Sequence, residues 1–141
     1  MSEIPLHKAK PHIVVSEIDH KRLTELANAA EAGPFAAVGE DLYVEMDRAE
    51  VVPTELMPPD VVRMGSTTEY RTDSGERRQV ILVFPEDADI AANRISILTP
   101  IGAALIGLKA GQSIIWRTRG GEEHELTVEA VSAPPDPNRA Q

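Results

Sequence analysis

The chain has 141 residues, 42% of them hydrophobic and 26% charged, which suits one domain with a core of its own, with or without a small appendage. It has no cysteine, which excludes disulfides, thiolate metal sites and cysteine nucleophiles, and its five aromatic residues are too few for a base-stacking platform. The formal net charge of −9 opposes a nucleic-acid backbone as the primary ligand, and most of it lies early: residues 1–60 carry 12 acidic against five basic side chains.

In chain order, residues 1–12 are polar, carry Pro5 and Pro11, and read as a mobile arm without the basic-then-apolar pattern of a signal peptide. Ser16 is a good helix N-cap, and Asp19 suits the positive end of the helix that follows. Leu23, Leu26, Ala27 and Ala30 form one apolar stripe at helical spacing, and Gly33-Pro34 ends the helix after Glu31. At 1.5 Å per residue this arm is roughly 22 Å long. A second helix is expected to begin near Glu40-Asp41, with a stripe of Leu42, Met46, Ala49 and Val52, and to stop at Pro53. Together they predict a short antiparallel helical hairpin over 13–53, followed by a stiff proline linker at 54–60.

Beyond Asp60 the period changes. Thr67 to Arg71 alternates, Asp73-Ser74-Gly75-Glu76 supplies turn chemistry, Val80 to Phe84 is a continuous apolar run, and Arg94 to Leu98 reads as a further strand. Thr99-Pro100 opens a short helix as an N-cap threonine and first-turn proline, and Gly107 ends it. Ser113 to Thr118 and Glu123 to Val131 flank Gly120-Gly121 as a hairpin, and the proline-rich tail at 132–141 reads as disordered. The fold class is α+β: a helical hairpin, then an antiparallel sheet over 61–131 with one short helix.

No candidate for chemistry emerges from this pattern. His7, His12, His20 and His124 have no metal-ligand spacing, no Gly-x-Ser-x-Gly elbow is present, and no phosphate-cradling glycine loop precedes a Lys-Ser/Thr pair. No metal, cofactor or catalytic residue is expected, no apolar run approaches the roughly 20 residues of a membrane helix, and the cytoplasm is the expected compartment.

The run Ser96-Ile97-Leu98-Thr99-Pro100-Ile101-Gly102-Ala103-Ala104-Leu105-Ile106-Gly107, continuing to Gly111-Gln112, resembles the C-terminal signature of bacterial Gre-type transcript cleavage factors. Thr99 stands where that signature has serine, and Gln112 where it has an acid. Asp47 to Val52, Met57 to Val62, Pro85 to Asp89 and Pro100 to Leu108 are more similar to the short branch called nucleoside diphosphate kinase regulators. The resemblance spans about Ile13 to Val131 and implies an FKBP-like C-terminal domain, a coiled-coil hairpin, and binding to RNA polymerase near its secondary channel.

It also implies where docking occurs: the loop holding Asp87 and Asp89, and the turn of Thr99, Pro100 and Ile101. By their bare chemistry, Thr99 and Pro100 are a helix cap and Asp87 and Asp89 a solvated acidic loop, readings compatible with docking. Longer Gre factors place acids at the coiled-coil tip to hold a catalytic magnesium. Here the expected tip, with Phe35 at its centre, has no acid between Gly33 and Gly39, and Glu40 and Asp41 read as first-turn residues favoured by the helix dipole. The expected function is thus polymerase binding without transcript cleavage, with no isomerase activity despite the implied fold, since fold does not carry function.

Overall fold

The computed structural model of the protein describes residues 10–118 and 120–134. The expected arm and tail fall mostly outside these residues. The described ends are held: Lys10 pairs with Glu45, the Pro11 carbonyl accepts from Arg48, and Ser132 closes a strand.

A three-residue strand, β1 (Val14–Ser16), runs directly into helix α1 (Glu17–Ala30). Ser16 is extended and its Oγ accepts the Asp19 N–H at 3.1 Å, the expected cap. Leu23 and Ala27 are buried, with Leu26 and Ala30 packed against them.

Helix α2 (Ala36–Arg48) corrects the expected start by four residues, since Phe35, which makes no side-chain capping bond, precedes its first turn. Glu40 and Asp41 therefore lie in the second turn, beyond the unpaired N–H groups they were expected to favour. Packing rather than capping sets this start. Gly39 faces α1 so closely that a Cβ there would stand 2.8 Å from the Ala30 Cβ. Helix α2 also ends earlier than expected: Ala49 is its C-cap, and Glu50–Val52 form strand β2, parallel to β1 with Val15 opposite Val51. Val52 therefore belongs to a strand and not to the helical stripe.

A five-stranded sheet follows, built of β3 (Thr67–Thr72), β4 (Arg77–Val83), β5 (Arg94–Ser96), β6 (Ser113–Arg117) and β7 (Glu123–Ser132) in the order β5-β4-β3-β7-β6. The sheet is mixed, not antiparallel throughout: β5 pairs parallel with β4, Leu82 opposite Ile95. Residues 84–93 cross over between β4 and β5 through 3₁₀ turns at Pro85–Asp87 and Ile90–Ala92, which returns the chain to the starting end of β4. The short helix α3 (Pro100–Leu105) lies almost wholly buried between the sheet and α2.

One contiguous core joins both parts, bringing Ile13, Leu23, Leu42 and Met46 together with Leu82, Leu105, Leu126 and Val128. Gly107 is buried beside Ile13 with φ +83, a conformation that disfavours any side chain. Its carbonyl accepts the Val14 N–H at 3.2 Å and its N–H donates to the Val62 carbonyl at 2.9 Å. Gln112 ties the same junction: its Oε1 accepts the Lys109 N–H at 2.8 Å and its Nε2 donates to the His12 carbonyl at 3.2 Å. A carboxylate could not make the second bond, which gives glutamine a structural reason to stand here.

Candidate functional site

The Thr99-Pro100 turn is fixed by local chemistry. The Thr99 Oγ1 donates to the Ser96 carbonyl at 2.7 Å and accepts the Gly102 N–H at 3.0 Å. The Ser96 Oγ accepts the Leu98 N–H at 2.9 Å, and the Thr99 carbonyl accepts the Ala103 N–H at 2.9 Å. Pro100 takes the first helical position, where no N–H is needed. Thr99, Pro100 and Ile101 are half-buried, so they present a rigid edge rather than a projecting loop.

The fold brings this edge to the helix pair. Phe35, Glu40, Asp41, Pro100 and Arg117 line one groove of about 660 Å³ between the start of α2, the start of α3 and the turn after β6. Asp41, Pro100 and Arg117 also border a second groove of about 340 Å³, which runs under Lys10 and Glu45 to Trp116. Phe35 is 47% exposed, an aromatic ring open to a partner at the groove mouth. Asp41 is exposed at one side, yet partial desolvation in the groove raises its carboxyl above the ordinary 3.8, with Lys10 acting in the opposite direction. Trp116 packs against the core, its ring centroid 5.6 Å from that of His124.

Asp87 and Asp89 are not in this groove. They belong to the β4–β5 connection, at the sheet edge opposite β6. The structure thus unites the helix-pair residues with Pro100 and leaves Asp87 and Asp89 on a separate, exposed surface. Sequence reading missed Arg117, Lys10 and Glu45, because each lines a groove only through contacts between distant segments.

A second connection runs from α1 to the β4–β5 side. Asp19 Oδ2 accepts the Met64 N–H at 3.1 Å, and the Arg22 guanidinium lies 4.1 Å from the centre of the Phe84 ring. Burial raises the Asp19 carboxyl above the ordinary 3.8, against the Met64 hydrogen bond and the Arg63 and Arg22 charges. The folded protein therefore binds this proton more tightly than the unfolded chain, so stability falls as pH rises from about 3.8 through the raised value. Asp19→Asn is expected to flatten that part of the stability–pH curve while Ser16 still caps α1. Denaturant melts at a series of pH values check this, and parallel curves for the two proteins would refute it.

Among the described residues, no group of three or more His, Asp or Glu side chains could hold a metal ion, and no helix is long and apolar enough to cross a membrane. The geometry defines a small α+β protein whose helix pair and mixed sheet share a groove beside a rigid Thr-Pro turn. The family described as "Transcription elongation factor, GreA/GreB, C-term" matches residues 57–133, and "Rnk N-terminus" matches residues 11–52. The chain belongs to the GreA/GreB family, in its nucleoside diphosphate kinase regulator branch.

It is 35% identical over 130 residues to the "Regulator of nucleoside diphosphate kinase" of Escherichia coli K12, covering 91% of this chain and 94% of that protein. To the "Transcription elongation factor GreA" of Rhodospirillum rubrum it is 36% identical over 116 residues, covering 78% of this chain and 74% of that one. Among solved structures, the "Prokaryotic transcription elongation factor GreA/GreB from Nitrosomonas europaea" superposes with a TM-score of 0.68 at 38% identity, covering 86% of this chain and 99% of that one.

Proposed function

We propose that this protein is a non-catalytic transcription regulator that docks on RNA polymerase near its secondary channel and competes there with longer Gre factors. The observation that carries this reading is the shared groove, in which Pro100 of the docking turn and Phe35, Glu40 and Asp41 of the helix pair form one surface. The reading treats 13–53 as a coiled-coil hairpin and 61–131 as an FKBP-like docking domain, joined by the 54–60 segment.

Two features argue against transcript cleavage. Helix α1 has 14 residues and α2 has 13, about 20 Å each, a short reach into a channel. The connection 31–35 carries one acid, Glu31, while Glu40 and Asp41 face sideways into the groove. Magnesium is held by carboxylate oxygens, and nothing at the apex supplies a pair of them.

The assay is competition on a backtracked elongation complex. The protein alone is expected to leave the RNA length unchanged, and in excess to suppress shortening by a GreA-type factor. RNA shortening on adding the protein alone would favour the cleavage-stimulating reading. Absence of any competition and of any binding to polymerase would remove the proposed function altogether. Turnover of a proline peptide would support the alternative of an FKBP-like isomerase or peptide-binding module.

A further inference from the structure

Ile90 is 87% exposed, more than any other large apolar side chain among the described residues, where the next, Leu56, reaches 66%. It does not stand alone: Ala88, Ala91 and Ala92 are exposed beside it, so the crest of the β4–β5 connection is a small apolar surface. Leaving such a side chain in water forgoes the stabilisation that burial would supply, and a partner can recover it.

The crest is also held in one conformation. Asp89 and Arg94 exchange two backbone hydrogen bonds of 2.9 Å each, and the Asn93 N–H donates to the Ile90 carbonyl at 3.0 Å. Asn93 takes the left-handed conformation at φ 60, and its carbonyl accepts the Ile81 N–H at 2.8 Å, which anchors the crest to β4. Ile90 therefore reaches a partner with little ordering left to occur.

Charge selects the kind of partner. Glu86, Asp87 and Asp89 surround the apolar crest, all exposed, and none has a side-chain hydrogen bond or ion pair among the described residues. With Arg94 the segment 86–94 carries a net charge of −2. This rim repels nucleic-acid phosphates, anionic lipid and a second copy of the same crest, and it attracts a basic protein surface.

We infer that Ile90 is the anchor of a second docking contact, seated in an apolar socket on a basic surface of RNA polymerase, with Glu86, Asp87 and Asp89 steering the approach. The inference rests on the polymerase-docking reading and deepens it: Asp87 and Asp89 are already expected to dock, and Ile90 is the apolar anchor that their loop, on the sheet edge opposite the groove, would seat. Anchors of this kind dominate dissociation, whereas rim charges act on association and its salt dependence.

The test measures binding kinetics of the full chain on core RNA polymerase at low and high salt, for wild type, Ile90→Ser, Ile90→Leu and the Glu86→Gln/Asp87→Asn pair. Ile90→Ser is expected to bind about tenfold or more weaker through faster dissociation, with an unchanged melting curve, and Ile90→Leu to restore most of the affinity. The paired acid variant is expected to associate more slowly and with a smaller salt dependence. Wild-type affinity in Ile90→Ser would overturn the anchor while leaving the docking reading in place. Failure of the wild type to bind polymerase would overturn both. Ile90-dependent self-association without polymerase binding would identify the crest as a contact between copies and likewise overturn the inference.

Discussion

Gly102→Ala is expected to destabilise the protein by about 3 kcal/mol, a fall in Tm on the order of 10 °C, and, on the proposed docking reading, to weaken binding to RNA polymerase through the same lesion. Gly102 is buried in the first turn of α3, and a Cβ there would collide with the Ser96 carbonyl oxygen and stand 3.0 Å from both the Ile97 Cα and the Thr99 Oγ1. Two of these are backbone atoms, which cannot rotate away. The Ser96 carbonyl also receives the Thr99 hydroxyl at 2.7 Å, and the Gly102 N–H is the group that Thr99 caps. Relief of the clash must therefore pull α3 from the turn that presents Pro100 to the groove. Gly33→Ala is the control, since nothing lies within 4 Å of its added Cβ and its backbone is not left-handed. Thermal melts and polymerase titrations of both variants decide the matter: a Gly102→Ala protein that melts with the wild type would show that the turn can yield.

Arg48→Met is expected to cost about 3 kcal/mol, and Glu45→Met combined with it to restore much of the loss. Glu45 is only 4% exposed although charged, and its carboxylate is enclosed by two cations. Arg48 Nε and Nη2 donate to its Oε1 at 3.0 and 2.7 Å, and Lys10 Nζ lies 2.7 Å from its Oε2. Arg48 also donates to the Pro11 carbonyl, so the same guanidinium fastens the segment before β1 to the end of α2. Without Arg48, Glu45 would remain desolvated with half of its partners. With both replaced by methionine, the site would hold apolar groups of similar size and no stranded charge. Denaturant titrations of the single and double variants measure the difference. A double variant as unstable as the single one would mean that Arg48 acts through Pro11 rather than through Glu45.

The legible features of this chain are those whose cause lies within a few residues. Ser16 and Thr99 announce their helices because a cap is a bond to a group three residues ahead, and both bonds are present. The turn around Gly75, which joins β3 to β4, and the hairpin of β6 and β7 around Gly120-Gly121 were readable for the same reason. The start of α2 was not, because Phe35 supplies no cap and the helix is held from Ala36 onward by the contact of Gly39 with α1. Nor was the parallel partnership of β4 with β5, which depends on a ten-residue crossover rather than on a local turn. Strands β1 and β2, three residues each and separated by two helices, carry too little pattern to announce their pairing.

The early acidic charge has a similar division. The sequence alone determined that the chain is acidic, that residues 1–60 hold most of the excess, and that family motifs surround Thr99-Pro100. The tertiary structure decided what those acids do: Glu45 is buried as a clamp, Asp41 borders two grooves, Asp19 receives the Met64 N–H, and Asp87 and Asp89 rim an exposed isoleucine. Net charge and local caps are sums over near neighbours and can be read along the chain. A groove formed by Asp41, Pro100 and Arg117 joins residues far apart in sequence, and only chain folding, driven by one shared apolar core, sets their distance.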